Sequence, residues 1–214
     1  MTQIPTERHP LEPFLPAGAR ILMLGSFPPA RKRWSMEFFY PNWINDMWRI
    51  MGLVFFSDKD HFVAENADGS KARRFSREKC AGFAEERGIA MYDTACEVRR
   101  LKDNASDKFL EVVTPTDLTS LLSKIPDCKA IVTTGQKATD VVCGLFGCKE
   151  PAVGSWTECT FTDNEGRTRA IRFWRMPSSS RAYPLPLDKK AEFYRKMFLH
   201  ELWPMADNRL EINE

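Results

Sequence analysis

The chain has no long apolar run. Its longest, such as Ile21-Leu22-Met23-Leu24 and Leu53 to Phe56, fall far short of the ~18 residues a membrane-spanning helix needs, so no membrane partner is expected. An export signal is also missing. Glu7, Arg8 and Glu12, with prolines at 5, 10 and 13, interrupt the first residues, and a cytoplasmic protein is expected. Metal-ligand clustering is absent: the cysteines at 80, 96, 128, 143, 148 and 159 form no C-x-x-C pair, and the histidines at 9, 61 and 200 stand singly. Zinc and iron–sulfur sites want ligands at short spacing, so no metal and no cofactor is expected. Nor does a disulfide framework suit a chain of this length without an export signal. Three motifs are lacking as well: the G-x-S-x-G elbow, the G-x-x-x-x-G-K-[ST] loop and G-x-G-x-x-G after a strand. Hydrolase, phosphate-loop and dinucleotide readings lose their markers with them.

What is present describes an ordinary globular protein. Of 214 residues, 43% are apolar and 28% charged, which excludes a disordered chain. Net charge is only +2, yet cationic residues gather at Arg31 to Arg33, between Lys71 and Lys79, at Arg99 to Lys102, and from Arg167 to Arg181. Such groups permit an anionic partner without requiring one; each is also what a solvated surface looks like.

Hydrophobic patterning alternates strands with helices. Ala19 to Leu24 ending at Gly25, Ile89 to Tyr92 ending at Asp93, and Ala130 to Thr133 before Gly135 read as short strands buried on both faces. Trp156 to Phe161 and Ala170 to Met176 flank Asp163-Asn164-Glu165-Gly166 as a β-hairpin. Helices are expected over Ile44 to Leu53, over Ser76 to Arg87 with Gly88 as a stop, from Thr114-Pro115, after Gly135, and from Leu187 to Leu202. Ser57 to Arg74 reads as a long polar loop. The expected fold is α/β: a three-layer α/β/α sandwich around a central, mainly parallel sheet of about four strands. Residues 1–18 form an N-terminal arm, 19–205 a single domain and 206–214 a polar tail.

In parallel sheets, ligands sit beyond the carboxyl ends of the strands. The loops there carry Ser26, Asn42, Asn45, Thr134 and Ser178 to Ser180 beside Phe27, Phe38, Phe39, Tyr40 and Trp43. No histidine follows any of these strands, so histidine-based acid–base catalysis has little to draw on. Amides and hydroxyls interleaved with flat rings suit a planar heterocycle, stacked on one face and hydrogen-bonded at its edge. An aromatic core segment with solvent-facing asparagines would give the same pattern.

Ile21 to Pro29 (ILMLGSFPP), followed by Tyr40 to Ile50 (YPNWINDMWRI), resembles the first signature of the uracil-DNA glycosylase superfamily, and its Gly-Ser-Phe-Pro form is most similar to the hypoxanthine-DNA glycosylase branch. Gly88 to Asp93 resembles the second strand with its acidic end, Val132 to Ala138 the strand-glycine-helix turn, and Met176 to Tyr183 the last signature, the loop that enters DNA. Pro29 stands where the pattern has glycine, and histidines found in relatives between Tyr40 and Asn45 and in the last loop are absent.

The resemblance implies a monofunctional base-excision enzyme that flips a deaminated base, hypoxanthine or uracil, and hydrolyses its N-glycosidic bond. Matched by position, Asn45 would be catalytic, and Gly25, Ser26, Phe27, Tyr40 and Asn42 would form the base pocket. Ser178, Ser179, Ser180 and Arg181 would grip DNA, double-stranded or single-stranded, and a monomer is expected. Other readings stay open. Asn45 is also a favoured helix N-cap, and Pro-Ser-Ser-Ser is a common turn composition. A non-catalytic nucleic-acid- or nucleotide-binding protein, or a small-molecule enzyme, could occupy the same scaffold.

Overall fold

The computed structural model describes residues 4–102 and 109–202. In chain order the elements are β1 (Thr6–Arg8), β2 (Ile21–Gly25), α1 (Met47–Phe56), β3 (Val63–Glu65), β4 (Lys71–Phe75), α2 (Arg77–Glu86), β5 (Ile89–Asp93), β6 (Ala95–Arg100), β7 (Leu110–Pro115), α3 (Leu118–Lys124), β8 (Ala130–Thr133), α4 (Gln136–Phe146), β9 (Ser155–Thr162), β10 (Thr168–Arg175) and α5 (Leu187–Leu202). The tail expected over 206–214 lies outside the described residues, as do 203–205.

The central sheet has five strands in the order β5-β2-β8-β10-β9. It is mixed: β5, β2, β8 and β10 run parallel, while β9 pairs antiparallel with β10, Thr162 opposite Thr168 and Ser155 opposite Arg175. The expected mainly parallel sheet of about four strands therefore has a fifth, the antiparallel hairpin strand at its edge, because the tight turn after Asp163 can only return the chain antiparallel. Ile21 to Leu24, Ile89 to Met91 and Ala130 to Val132 are fully buried, as strands covered on both faces must be.

Alternate residues of the β9–β10 hairpin show the layers. Phe161 meets Phe146 of α4 at 5.9 Å, and its cross-strand partner Arg169 donates to the carbonyls of Leu122, Pro126 and Cys128 around the end of α3. One residue out of phase, Arg172 and Trp174 reach the opposite side, where both bond the Glu201 carboxylate of α5 at 2.7 Å. Phe55 of α1 packs on Phe198 of α5 at 4.9 Å and on Phe83 of α2 at 4.8 Å, so α1, α2 and α5 share that layer.

Three segments differ from the sequence reading. Thr114-Pro115 ends a strand rather than opening a helix; the β-branched run Val112-Val113-Thr114 favours β7, and Asp117 caps α3 by accepting from the Ser120 amide at 2.9 Å. The stretch read as a loop, 57–74, contains the β3–β4 hairpin, turned at Asp68-Gly69 with Gly69 at φ 80°. The helix expected over 44–53 starts later, at Met47, and runs on to Phe56. The first residues are tied down as well. β1 pairs with β6, which pairs with β7 in a second sheet, and Phe14 bridges Met91 on the outer edge of β5. An otherwise open sheet edge is thereby covered.

Candidate functional site

A cavity of about 730 Å³ opens at the carboxyl ends of β2, β5, β8 and β10. Gly25, Ser26, Phe27, Tyr40, Asn42, Asn45, Ser178, Ser179, Ser180 and Arg181 all line it, with Phe39 and Thr134, whereas Phe38 and Trp43 do not. Parallel pairing in register brings the lining together. It aligns Gly25 with Asp93 and Leu24 with Thr133, so the residues that follow the strands emerge side by side.

The turn between Tyr40 and α1 is the most constrained part. Tyr40 adopts φ 52°, a left-handed conformation that costs a residue with a side chain about 1–2 kcal/mol. Its ring lines the cavity and its hydroxyl shares a 3.2 Å hydrogen bond with Thr134 Oγ1 across the sheet end. Burial pushes the phenol well above its ordinary pKa, and the nearby Asp93 adds to the rise, so the group stays protonated. Asn42 Oδ1 accepts from the Ile44 amide at 3.1 Å, and Asn45 Oδ1 accepts from the Met47 amide at 2.9 Å, at the first turn of α1. The N-cap of α1 is Asp46, without a side-chain cap bond, so Asn45 does not cap the helix; it closes the turn that leads into it, and that bond occupies one end of the carboxamide. The other end is a donor: among the described residues the Asn45 amide nitrogen has no partner, and the side chain borders the cavity.

Buried charges hold this turn. Arg49 donates to the carbonyls of Trp43 and Asn45 at 2.9 and 3.2 Å, its guanidinium lying over both the Trp43 and Phe75 rings, which also touch each other. Burial lowers its pKa, and neighbouring Arg181 lowers it further. Lys190 of α5, with only 1% of its side chain exposed, donates to Asp46 Oδ2 at 3.0 Å and to the Ser180 carbonyl at 2.8 Å. The Asp46 amide donates to the Ser179 carbonyl at 2.9 Å, and Asn45 bridges Ser180. The serine loop and the start of α1 are thus one unit, pinned from beneath by a single lysine. Arg181 stands exposed at the rim, 3.4 Å from Asp46, and Arg33 and Arg100 add two more cations to the cavity lining.

The sequence reading missed two contributors. His9 stands singly in the sequence, yet the chain leaving β1 brings it against the end of β5, where Nε2 lies 2.9 Å from Asp93 Oδ2. Arg100 and Leu110 bring the β6–β7 hairpin into the cavity wall. Arg100 grips both carboxylate oxygens of Glu7 at 3.1 Å, which couples that wall to the N-terminal arm. Neither contributor has a local signal, since both depend on pairing between segments about 90 residues apart, as in Thr6 opposite Arg99.

The fold and the site together define a class: a mixed α/β protein whose cavity, at the carboxyl end of a parallel sheet, is lined by rings, amides and hydroxyls with a cationic rim. Among solved structures the chain is similar to the solution NMR structure of a protein from Methanosarcina acetivorans provisionally described as a uracil DNA glycosylase. The TM-score is 0.56 at 20% identity, over 91% of this chain and 98% of that one, a likeness of fold. No family model matches the chain, and no curated protein matches its sequence.

Proposed function

We propose that this protein is a monofunctional DNA glycosylase that removes a deaminated base, hypoxanthine or uracil, from DNA. The observation that carries the reading is the meeting of Tyr40, Asn45, Ser26 and the serine loop in one cavity on this fold. A flipped base would stack against the Tyr40 ring while neutral donors reach its edge. In the reaction the C1′–N bond breaks with its electron pair leaving on the base, a water oxygen bonds to C1′, and the water's proton ends on the departed base. Negative charge grows on the base as it leaves, so a preorganised N–H such as that of Asn45 stabilises the transition state more than the ground state. A methyl at Gly25 would overlap Asp93 Oδ1, so only glycine fits where β2 meets the end of β5 beside the cavity.

The deciding experiment is single-turnover excision on duplexes carrying hypoxanthine, uracil or an undamaged base. Release of hypoxanthine or uracil is expected, faster opposite a mispaired partner because such pairs flip at lower cost. Salt-dependent binding with no excision of any base would instead identify a non-catalytic nucleic-acid-binding protein.

Binding to DNA should weaken with salt. Arg33 and Arg181 at the cavity rim supply two phosphate contacts, so the logarithm of affinity should fall with the logarithm of salt at a slope of about −1.8 or steeper. Affinity measured by fluorescence anisotropy across salt concentrations checks this. A flat response would favour a small, uncharged ligand.

A further inference from the structure

Among the described residues, Ile44 is the one large hydrophobic side chain that is both exposed, at 47%, and part of the cavity lining. A single exposed isoleucine is ordinary on a protein surface, so what matters is where this one stands and what supports it. Asn42 Oδ1 accepts from the Ile44 amide at 3.1 Å, and the Asn45 amide donates to the Asn42 carbonyl at 2.8 Å, which closes a tight turn around Ile44. Arg49 holds the Trp43 and Asn45 carbonyls on either side of it. Isoleucine is also stiff at χ1, so the exposed tip has few conformations to lose.

The neighbour of this turn is the serine loop. The Asp46 amide donates to the Ser179 carbonyl and Asn45 bridges Ser180 antiparallel, so the same register sets Ile44 beside Arg181. Arg181 has 53% of its side chain exposed there. An apolar tip next to a cation at a cavity mouth fits a nucleic-acid strand, whose phosphates take the cation and whose stacked bases take the tip. The loop that the resemblance sends into DNA offers no such tip of its own. Ser178 to Ala182 are three serines, an arginine and an alanine, and Tyr183 beyond them is half-buried.

We propose that Ile44, on the turn into α1, is the wedge that enters the base stack when the target nucleotide flips. The inference rests on the glycosylase reading and adds the group that holds the duplex open. An extruded nucleotide leaves its neighbours facing a gap, and the base falls back unless something fills it. Apolar side chains inserted between base steps are a recurring way to do so. Burying Ile44 between bases also removes its apolar surface from water, and its rigid support keeps the ordering cost of insertion low. A single strand has no paired stack to close again, so the wedge acts on duplex DNA.

The test is single-turnover excision of the base that wild type releases, hypoxanthine or uracil, from a duplex and from the same strand alone. A second duplex carries 2-aminopurine beside the target as a reporter of unstacking. Ile44→Ala should lower the ratio of duplex to single-strand excision by about 10-fold or more, the loss expected when most of a buried aliphatic side chain is removed. The rise in 2-aminopurine fluorescence on binding should shrink in step. Ile44→Leu keeps an apolar tip and should retain most of the ratio and of the rise. Both variants should melt with wild type, because the side chain is exposed. A purely structural role, or one in lining the pocket, would slow both substrates alike and leave their ratio intact. If wild type excises from duplex DNA while Ile44→Ala keeps the wild-type ratio and fluorescence rise, the inference fails and the glycosylase reading stands. Where the single strand is not cut, the fluorescence rise alone decides in the same way. If wild type releases no base, both fall.

Discussion

Asn45→Ala should lower single-turnover excision by roughly 10²-fold or more, the usual loss for one preorganised donor at developing charge. The same change removes the bond from the Met47 amide at the start of α1, worth about 1 kcal/mol of stability, so both effects must be read together. Asn45→Asp separates them. Aspartate keeps an oxygen that accepts from Met47 and replaces the amide nitrogen, the group with no partner in the cavity, by a charged acceptor. It should therefore fold as stably as wild type and still lose most of the rate. A stable Asn45→Ala protein with wild-type excision would leave the turn into α1 as the whole role of this residue, and Asn42 would be the next to test.

Lys190→Met is expected to have the largest effect on stability. The lysine is buried with Asp46, and removing one partner of such a pair strands the other charge, at a typical cost of about 3–5 kcal/mol. Arg181 lies 3.4 Å from the far Asp46 oxygen but is half-exposed, so it compensates only in part. In a protein of this size the melting temperature should fall by about 6–20 °C, measurable by thermal unfolding. Lys190→Met combined with Asp46→Leu should recover much of that loss, because no unpaired charge is left behind. A single-variant loss under about 1 kcal/mol would mean that Asp46 reaches water or Arg181 more readily than the geometry shows.

The parts of the site legible in the sequence share a cause. Ile21–Gly25, Ile89–Asp93 and Ala130–Thr133 are buried on both faces, so they appear as continuous apolar runs, and the residues just beyond them are marked by position alone. The serine loop follows β10 in the same way. What escaped notice depends on distant pairing. A lone histidine between prolines in the arm carries no periodicity, and its partner Asp93 is 84 positions away. Lys190 lies three residues after Leu187 and four before Tyr194, on the stripe that α5 buries, where a cation carries no apolar signal of its burial. The β6 and β7 strands lack clean alternation, their burial broken by register shifts after Ala95 and Glu97. The Asp68-Gly69 turn of the β3–β4 hairpin was a readable signal, masked by the charge around it.

The span of the site along the chain has a consequence for biosynthesis. His9 leaves the ribosome early, waits 84 residues for Asp93, and the contact between Lys190 and Asp46 closes a separation of 144. Contacts of such long range form late, because ordering the intervening chain costs entropy before they contribute anything. A nascent or prematurely terminated chain therefore holds the pieces of a pocket without the lysine that joins the serine loop to α1. Competence should arrive in one step, when α5 docks, and an unfinished copy would have no assembled cavity at the sheet end.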